Sequence, residues 1–409
     1  MSLLFLAFFG CTGAPTPVLN PGEWTPAERE QLLTLRLDTS LQADPTNRWG
    51  EDAAAARFGQ SLFFDAGLTP SGTVACVSCH RSDRYFEDGQ VLSRGVGVAG
   101  RHTPTVVGSQ FGPWQFWDGR VDSQWAQALG PIENPDEMGS NRMFLARQVI
   151  QEYGPEYQAI FGELPDFSDA SRFPEHAMPG RNAESEAAWQ GMSESDRQLV
   201  NQTVSDIGKA IAAYERRLMP QEAPFDRYLD ALEAGTPSDH LDESQIRGLS
   251  LFLREGNCVS CHNGPLLTDR GFHNLGLPEP KKGYDAGRQT GAALVAVGEF
   301  NCESPFSDAK DCPELRYLNP QFPDFQSAFK TPSLRQVAET APYMHHGELA
   351  TLEDVLVFYS DLPGEPASGH RELILRPLHF SPEQRQDLAH FLESLTGGPL
   401  PAELLQPPP

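Results

Sequence analysis

The pentapeptide Cys-Val-Ser-Cys-His occurs twice, at positions 76–80 and again at 258–262. Two thiols two residues apart with an imidazole directly after them can form a redox dithiol, half of a zinc site, or the attachment point of a c-type haem. A redox pair has no need of the adjoining histidine. A zinc ribbon brings its second pair about 15 to 20 residues later, whereas these two pairs are 182 residues apart. Haem attachment uses every residue: the thiols add to the porphyrin vinyl groups and the histidine ligates iron from below. Cys76, Cys79 and His80, and then Cys258, Cys261 and His262, are therefore read as two haem c sites with His80 and His262 on the irons. An iron with two strong protein ligands transfers electrons, and one with an open face can act on peroxide or oxygen. The sequence must then be searched for one sixth ligand present and one missing.

The elements that carry the motifs are themselves repeated. RFGQSLFFDAG (57–67) precedes the first motif and IRGLSLFLREG (246–256) the second, both with G-x-S-L-F. The first copy has seven more residues between glycine and motif, as in a duplicated module with one loop insertion. Ala55, Phe58 and Leu62, like Ile246, Leu249 and Phe252, recur at helical spacing. Further helices are predicted over 195–218 and over 381–395, the latter capped by Ser381 with Gln384. Alternating strands are scarce, and 36 Gly and 35 Pro point to long irregular loops. The fold class expected is mainly α, with two cytochrome c-like haem domains. Their expected bounds are 21–235 and 236–400, followed by a flexible tail over 401–409.

A net charge of −25 leaves nothing to neutralise phosphates, which excludes nucleic acid as a partner. The apolar stretch over 1–9 is too short to span a bilayer and stands where an export signal does, with Cys11 at a lipoprotein-like lipidation point. Residues 1–20 are thus expected to export the chain to the periplasm and to anchor it through a lipid at Cys11. Cys302 and Cys312 lie in a loop without a nearby histidine, where a disulfide is their simplest use. Such a bond persists in an oxidising compartment.

FWDGR (116–120), ALGPIENPDEMG (128–139), FKTPSLR (329–335) and TAPYMHHGELATLEDVLVFY (340–359), together with the two haem motifs in this order, resemble the bacterial di-haem cytochrome c peroxidase superfamily on its MauG/MbnH-like branch. The resemblance runs from about 57 to 395. It implies two covalent haem c groups, with peroxide acted on at the first, where His80 is the only protein ligand. Trp117 would carry electrons between the haems. Glu137 would be the acid/base that assists O–O cleavage, with Gln127 and Pro131 in the same pocket; Glu133 is its close competitor. On the second iron the MauG branch has a tyrosine where ordinary cytochrome c peroxidases have methionine, and that position here is Tyr359. From pattern alone Tyr359 is a core tyrosine on the apolar face of a helix capped by Thr351 and Asp354; within the family, iron ligation is the better reading. A phenolate stabilises ferric and higher states, whereas a thioether favours ferrous iron.

The loop over 91–106 lacks, in its glycine-rich part, the histidine with which ordinary cytochrome c peroxidases close the first haem, so an open first site is expected. His102 falls where the family has an asparagine near a calcium ion, and Thr340 and Pro342 match that ion's carbonyl ligands. His346 stands in place of a common aspartate. Gly256 replaces the tryptophan that MauG uses in long-range oxidation. The activity implied is peroxide-driven oxidation of a side chain on a partner protein through a high-valent di-haem state. The alternative is reduction of hydrogen peroxide to water with electrons from a small cytochrome or cupredoxin. A third class, a di-haem carrier without catalysis, would need a sixth ligand on both irons.

Overall fold

The computed structural model describes residue 20 and residues 22–278 and 284–409. The expected export segment and Cys11 fall almost wholly outside these residues. Helices joined by long loops dominate, and the named strands are one antiparallel pair of two residues each, Phe272–His273 on Phe329–Lys330.

The repeated G-x-S-L-F segments form the same packing unit twice. Helix Ala53–Phe64 crosses the long helix Glu194–Glu215, and helix Glu243–Leu253 crosses Pro382–Glu393. At the first crossing a Cβ on Gly59 would lie 1.8 Å from the carbonyl oxygen of Ala210. At the second a Cβ on Gly248 would lie 2.0 Å from the carbonyl oxygen of Asp387. Glycine is needed at both positions because one backbone lies directly on the other, which brings the flanking apolar faces together. Phe58, Leu62 and Phe63 then pack with Ile207, Ile211 and Tyr214. In the second unit Leu249, Phe252 and Leu253 pack with Leu388, Phe391 and Leu392.

The two cores exchange segments, so neither coincides with the bounds read from the sequence. Helices Pro26–Leu33 and Pro224–Ala234 precede position 236, yet Leu32, Leu35, Phe225 and Leu229 are buried in the second core. Phe306 and Leu400 join the first core in return. The tail over 401–409, read as flexible, corrects that reading: Leu404 and Leu405 pack on the first core. Gln60 Nε2 donates to the Glu403 carbonyl at 2.6 Å and the Tyr214 hydroxyl to that of Leu404 at 2.5 Å. Two partly buried leucines supply apolar area that a polar tail would lack.

Charged groups also cross between the two copies. Arg101 bridges Asp118 at 2.6 Å and Asp285 at 2.8 Å, and buried Arg335 meets Asp226 at 2.7 Å. Arg142 gathers Glu133, Asn201 and Glu299 at 2.8, 2.7 and 2.6 Å. The Cys302–Cys312 disulfide expected from the sequence is formed. Among the described residues no helix is long and apolar enough to cross a membrane.

Candidate active site

One cavity of about 1000 Å³ is lined by both pentapeptides. That is the upper end of the roughly 300–1,000 Å³ of ordinary ligand sites. Each motif folds as a single tight turn in which the histidine amide donates to the first cysteine's carbonyl at 2.9 Å, His80 to Cys76 and His262 to Cys258. The turn puts two sulfurs and an imidazole around one space. His80 Nδ1 meets the Phe86 carbonyl at 3.2 Å and His262 Nδ1 the Leu267 carbonyl at 3.0 Å. With Nδ1 held by a carbonyl, Nε2 carries the free lone pair, the arrangement that orients a metal-ligating histidine. Burial lowers the pKa of both imidazoles and so keeps them neutral, the form that binds metal.

The four motif cysteines are not bridged to one another. Burial pushes the thiols of Cys76 and Cys258 up to about 12 and that of Cys79 up to about 11. Thiols so protonated are poor redox nucleophiles. Unbridged sulfurs, free Nε2 atoms and a cavity shared by both motifs fit two covalently attached haems.

Around the first motif the sequence-predicted residues converge. Ser123 caps helix Gln124–Glu133, from which Gln127 and Pro131, four residues apart, line the cavity. The helix ends in a tight turn, and Glu137 from that turn lines the cavity as well. Glu133, its competitor, does not line it and is held instead by Arg142. Burial raises the Glu137 carboxyl above its ordinary range, against the opposing pull of Arg120. Neither the sequence motifs nor their spacing pointed to what fixes Glu137. The glycine-rich loop lies on its backbone: Val96 N donates to the Glu137 carbonyl at 2.8 Å and Gly97 N to that of Asp136 at 2.9 Å. A Cβ on Gly95 would come within 2.0 Å of the same Glu137 oxygen. The glycines at 95 and 97 were the available signal.

Trp117 lines the cavity with both motifs, its Nε1 donating to the His102 carbonyl at 2.8 Å and its ring edge-on to His345 at 6.5 Å between centroids. His345 stacks on Phe329 at 3.6 Å, and burial lowers its pKa to about 3, so it stays neutral. His102 is committed elsewhere: Nδ1 meets the Gln90 carbonyl at 2.9 Å and Nε2 lies 3.7 Å from buried Glu87. Thr340 and Pro342 line the cavity beside it. Calcium takes six to eight oxygen ligands. A trio of two carbonyls and an imidazole nitrogen does not fit that ion, and no step below uses it.

Around the second motif, Thr351 and Asp354 form the predicted capping box of helix Leu352–Asp361. Tyr359 from this helix lines the cavity. Its hydroxyl makes no hydrogen bond among the described residues. Burial raises its pKa, and the neighbouring Cys258 and Cys261 push in the same direction. A phenolate at this position would therefore need a cation beside it.

The two attachment motifs opening on one cavity define a c-type cytochrome with two centres. A family model for di-haem cytochrome c peroxidases matches residues 53–234. The methylamine utilization protein MauG of Methylorubrum extorquens is 30% identical over 406 residues, covering 97% of this chain and 93% of that protein. The cytochrome-c peroxidase IdrP1 of Denitromonas iodatirespirans is 32% identical over 345 residues, covering 83% of this chain and 80% of that one. The diheme peroxidase BthA of Burkholderia thailandensis superposes with a TM-score of 0.64 at 22% identity over 89% of this chain and 92% of its own, a likeness of fold. This chain belongs to the di-haem cytochrome c peroxidase family. It is an oxidoreductase of that family, which uses hydrogen peroxide and a protein partner, and it carries two haem c groups.

Proposed function

We propose that the chain is a MauG-like enzyme, which takes oxidising equivalents from hydrogen peroxide and passes them to an aromatic side chain of a partner protein. The observation that carries this reading is Tyr359, whose uncommitted hydroxyl faces the cavity of the second motif, where an ordinary cytochrome c peroxidase has methionine. When bound, the haems supply the cleavage of peroxide and the storage of the two oxidising equivalents.

The residues of the chain supply the rest. Glu137, held by the loop over 95–97, accepts a proton from one peroxide oxygen and returns it to the other, with Gln127 beside it in the pocket. His102 does not close the first site, because both of its ring nitrogens are turned to Gln90 and Glu87. Trp117 couples the two centres. Its indole N–H rests on a neutral carbonyl, which cannot take the proton, so an oxidised Trp117 keeps it. The Tyr359 oxygen would hold the second iron as phenolate, whose charge favours the ferric and higher states. His80 and His262 would hold the two irons through Nε2. The Cys302–Cys312 disulfide supports an exported protein.

The reading is tested by electron paramagnetic resonance and optical spectra of the ferric holoprotein beside Tyr359→Met. One high-spin and one low-spin haem, with a methionine–iron band gained only in the variant, is the expected result. Unchanged spectra in Tyr359→Met would reduce Tyr359 to packing. The chain would then be read as a peroxidase that reduces hydrogen peroxide to water with electrons from a small cytochrome or cupredoxin.

A further inference from the structure

Six lysine and arginine side chains line the cavity: Arg101, Arg120, Arg270, Lys330, Arg335 and Arg376. Three are neutralised within the chain. Arg101 and Arg120 meet Asp118, Arg101 also meets Asp285, and Arg335 meets Asp226. Among the described residues, the other three have no carboxylate partner. Lys330 Nζ makes one hydrogen bond, to the Trp114 carbonyl at 2.9 Å, and two of its three N–H donors are unused. Among the described residues the guanidinium groups of Arg270 and Arg376 make no hydrogen bond.

Arg270 and Arg376 are exposed at the rim of the cavity and Lys330 lies deeper in it. Cations gathered in this way on one cavity suit anions that the polypeptide does not supply. Their placement narrows the choice. Arg270 and Arg376 come from two segments tied together by His273, which meets Asp269 from one and Glu372 from the other at 2.8 Å each. The first of these segments follows directly on the second motif, because the Asp269 amide donates to the Cys261 carbonyl at 2.7 Å. Lys330 lies at the boundary of the two sites, its amide donating to the Trp117 carbonyl at 2.8 Å. Burial lowers the Lys330 ammonium to about 8 against the opposing pull of Asp118, which Arg101 and Arg120 already occupy, and a buried cation without an ion pair of its own is costly.

We propose that these three side chains are the anchors of the haem carboxylates: Arg270 and Arg376 take the propionates of the second haem, and Lys330 takes a propionate at the boundary between the two. A planar guanidinium suits a carboxylate through two parallel hydrogen bonds, and an ammonium suits it as a point charge. The assignment goes beyond the reading of the reaction and holds for either one, since any haem c brings two propionates. Its failure would leave the role of Tyr359 untouched.

The test uses holoprotein grown with haem labelled by carbon-13 at the propionate carboxyls, studied by redox-induced infrared difference spectroscopy with potentiometry on the same samples. In the double variant Arg270→Gln with Arg376→Gln, two haems remain attached by intact mass and the labelled carboxylate band moves. The ferric-to-ferrous ratio of the second haem at fixed potential rises about tenfold, which is 59 mV for one electron. Lys330→Met moves a labelled band as well, whereas Arg36→Gln, at the surface pair with Asp230 and Glu233, moves neither readout. Unchanged bands and an unchanged ratio in the double variant overturn the proposal. Should that variant lose its second haem, Arg270→Lys with Arg376→Lys decides: recovery of haem and potential upholds the charge pairing, and continued loss refutes it.

Discussion

The same five residues are used at 76–80 and 258–262, fold into the same turn and hold their histidines on a backbone carbonyl in the same way, yet their surroundings differ in kind. The first motif faces carboxyl groups: Glu137, buried Glu87, and Glu215, which burial alone pushes up to about 8. The second faces the Tyr359 phenol, Glu372 held by His273, and Arg270 and Arg376, which have no carboxylate partner among the described residues. A carboxyl whose pKa burial raises can give and take a proton, whereas a phenolate can hold charge on a metal. Duplication supplied two identical attachment points, and what packs above each one divides the labour.

The strongest way to break the symmetry is to remove one centre. Replacing Cys258 and Cys261 together by serine is expected to leave one covalent haem, read as the loss of one haem from the intact mass. The next largest effect compares two acids of neighbouring sequence. Glu137→Gln is expected to lower the peroxide-dependent rate by about 10²- to 10⁴-fold in stopped-flow experiments, with both haems retained. Glu133→Gln should leave that rate nearly unchanged and instead lower the stability by about 1.5–3 kcal/mol in thermal unfolding, because Arg142 loses a buried charged partner.

The pH dependence sharpens the same contrast. Glu137 must begin as carboxylate to accept the peroxide proton, and its pKa is raised by burial. The rate should therefore fall, as pH is lowered, on a limb above the ordinary glutamate value of about 4.3. That limb should be absent in Glu137→Gln. The smallest effects address what the two copies share. Gly59→Ala and Gly248→Ala should each lower stability by about 1–3 kcal/mol through overpacking, one at each helix crossing, measured by denaturant unfolding. A loss at only one of them would mean that the repeated glycine is spacing in one copy and contact in the other.

Much of this was legible in the residues. Helix starts at Thr351 and Ser381 were legible because a side chain three residues away closes the cap, which is a local event. The haem attachment points were legible because the chemistry lies within five consecutive residues. The bounds of the two halves were not, since Leu32, Phe225, Leu400 and Leu404 are apolar residues that any core would accept, and only the folded chain selects which. The ordered tail escaped for the same reason.

By itself the sequence determined that two covalent haem sites exist, which acids were candidates for the proton, and that the fold is helical and duplicated. Only the tertiary structure put Glu137 on the cavity wall and Glu133 off it, because that placement depends on Arg142 reaching back nine residues and on a glycine-rich loop lying flat against the backbone over 136–137. It alone showed that both motifs open into one cavity, and that Arg270, Lys330 and Arg376 line it without a carboxylate partner among the described residues. Covalent chemistry is written in neighbouring residues, whereas burial and charge pairing are properties of distant segments brought together.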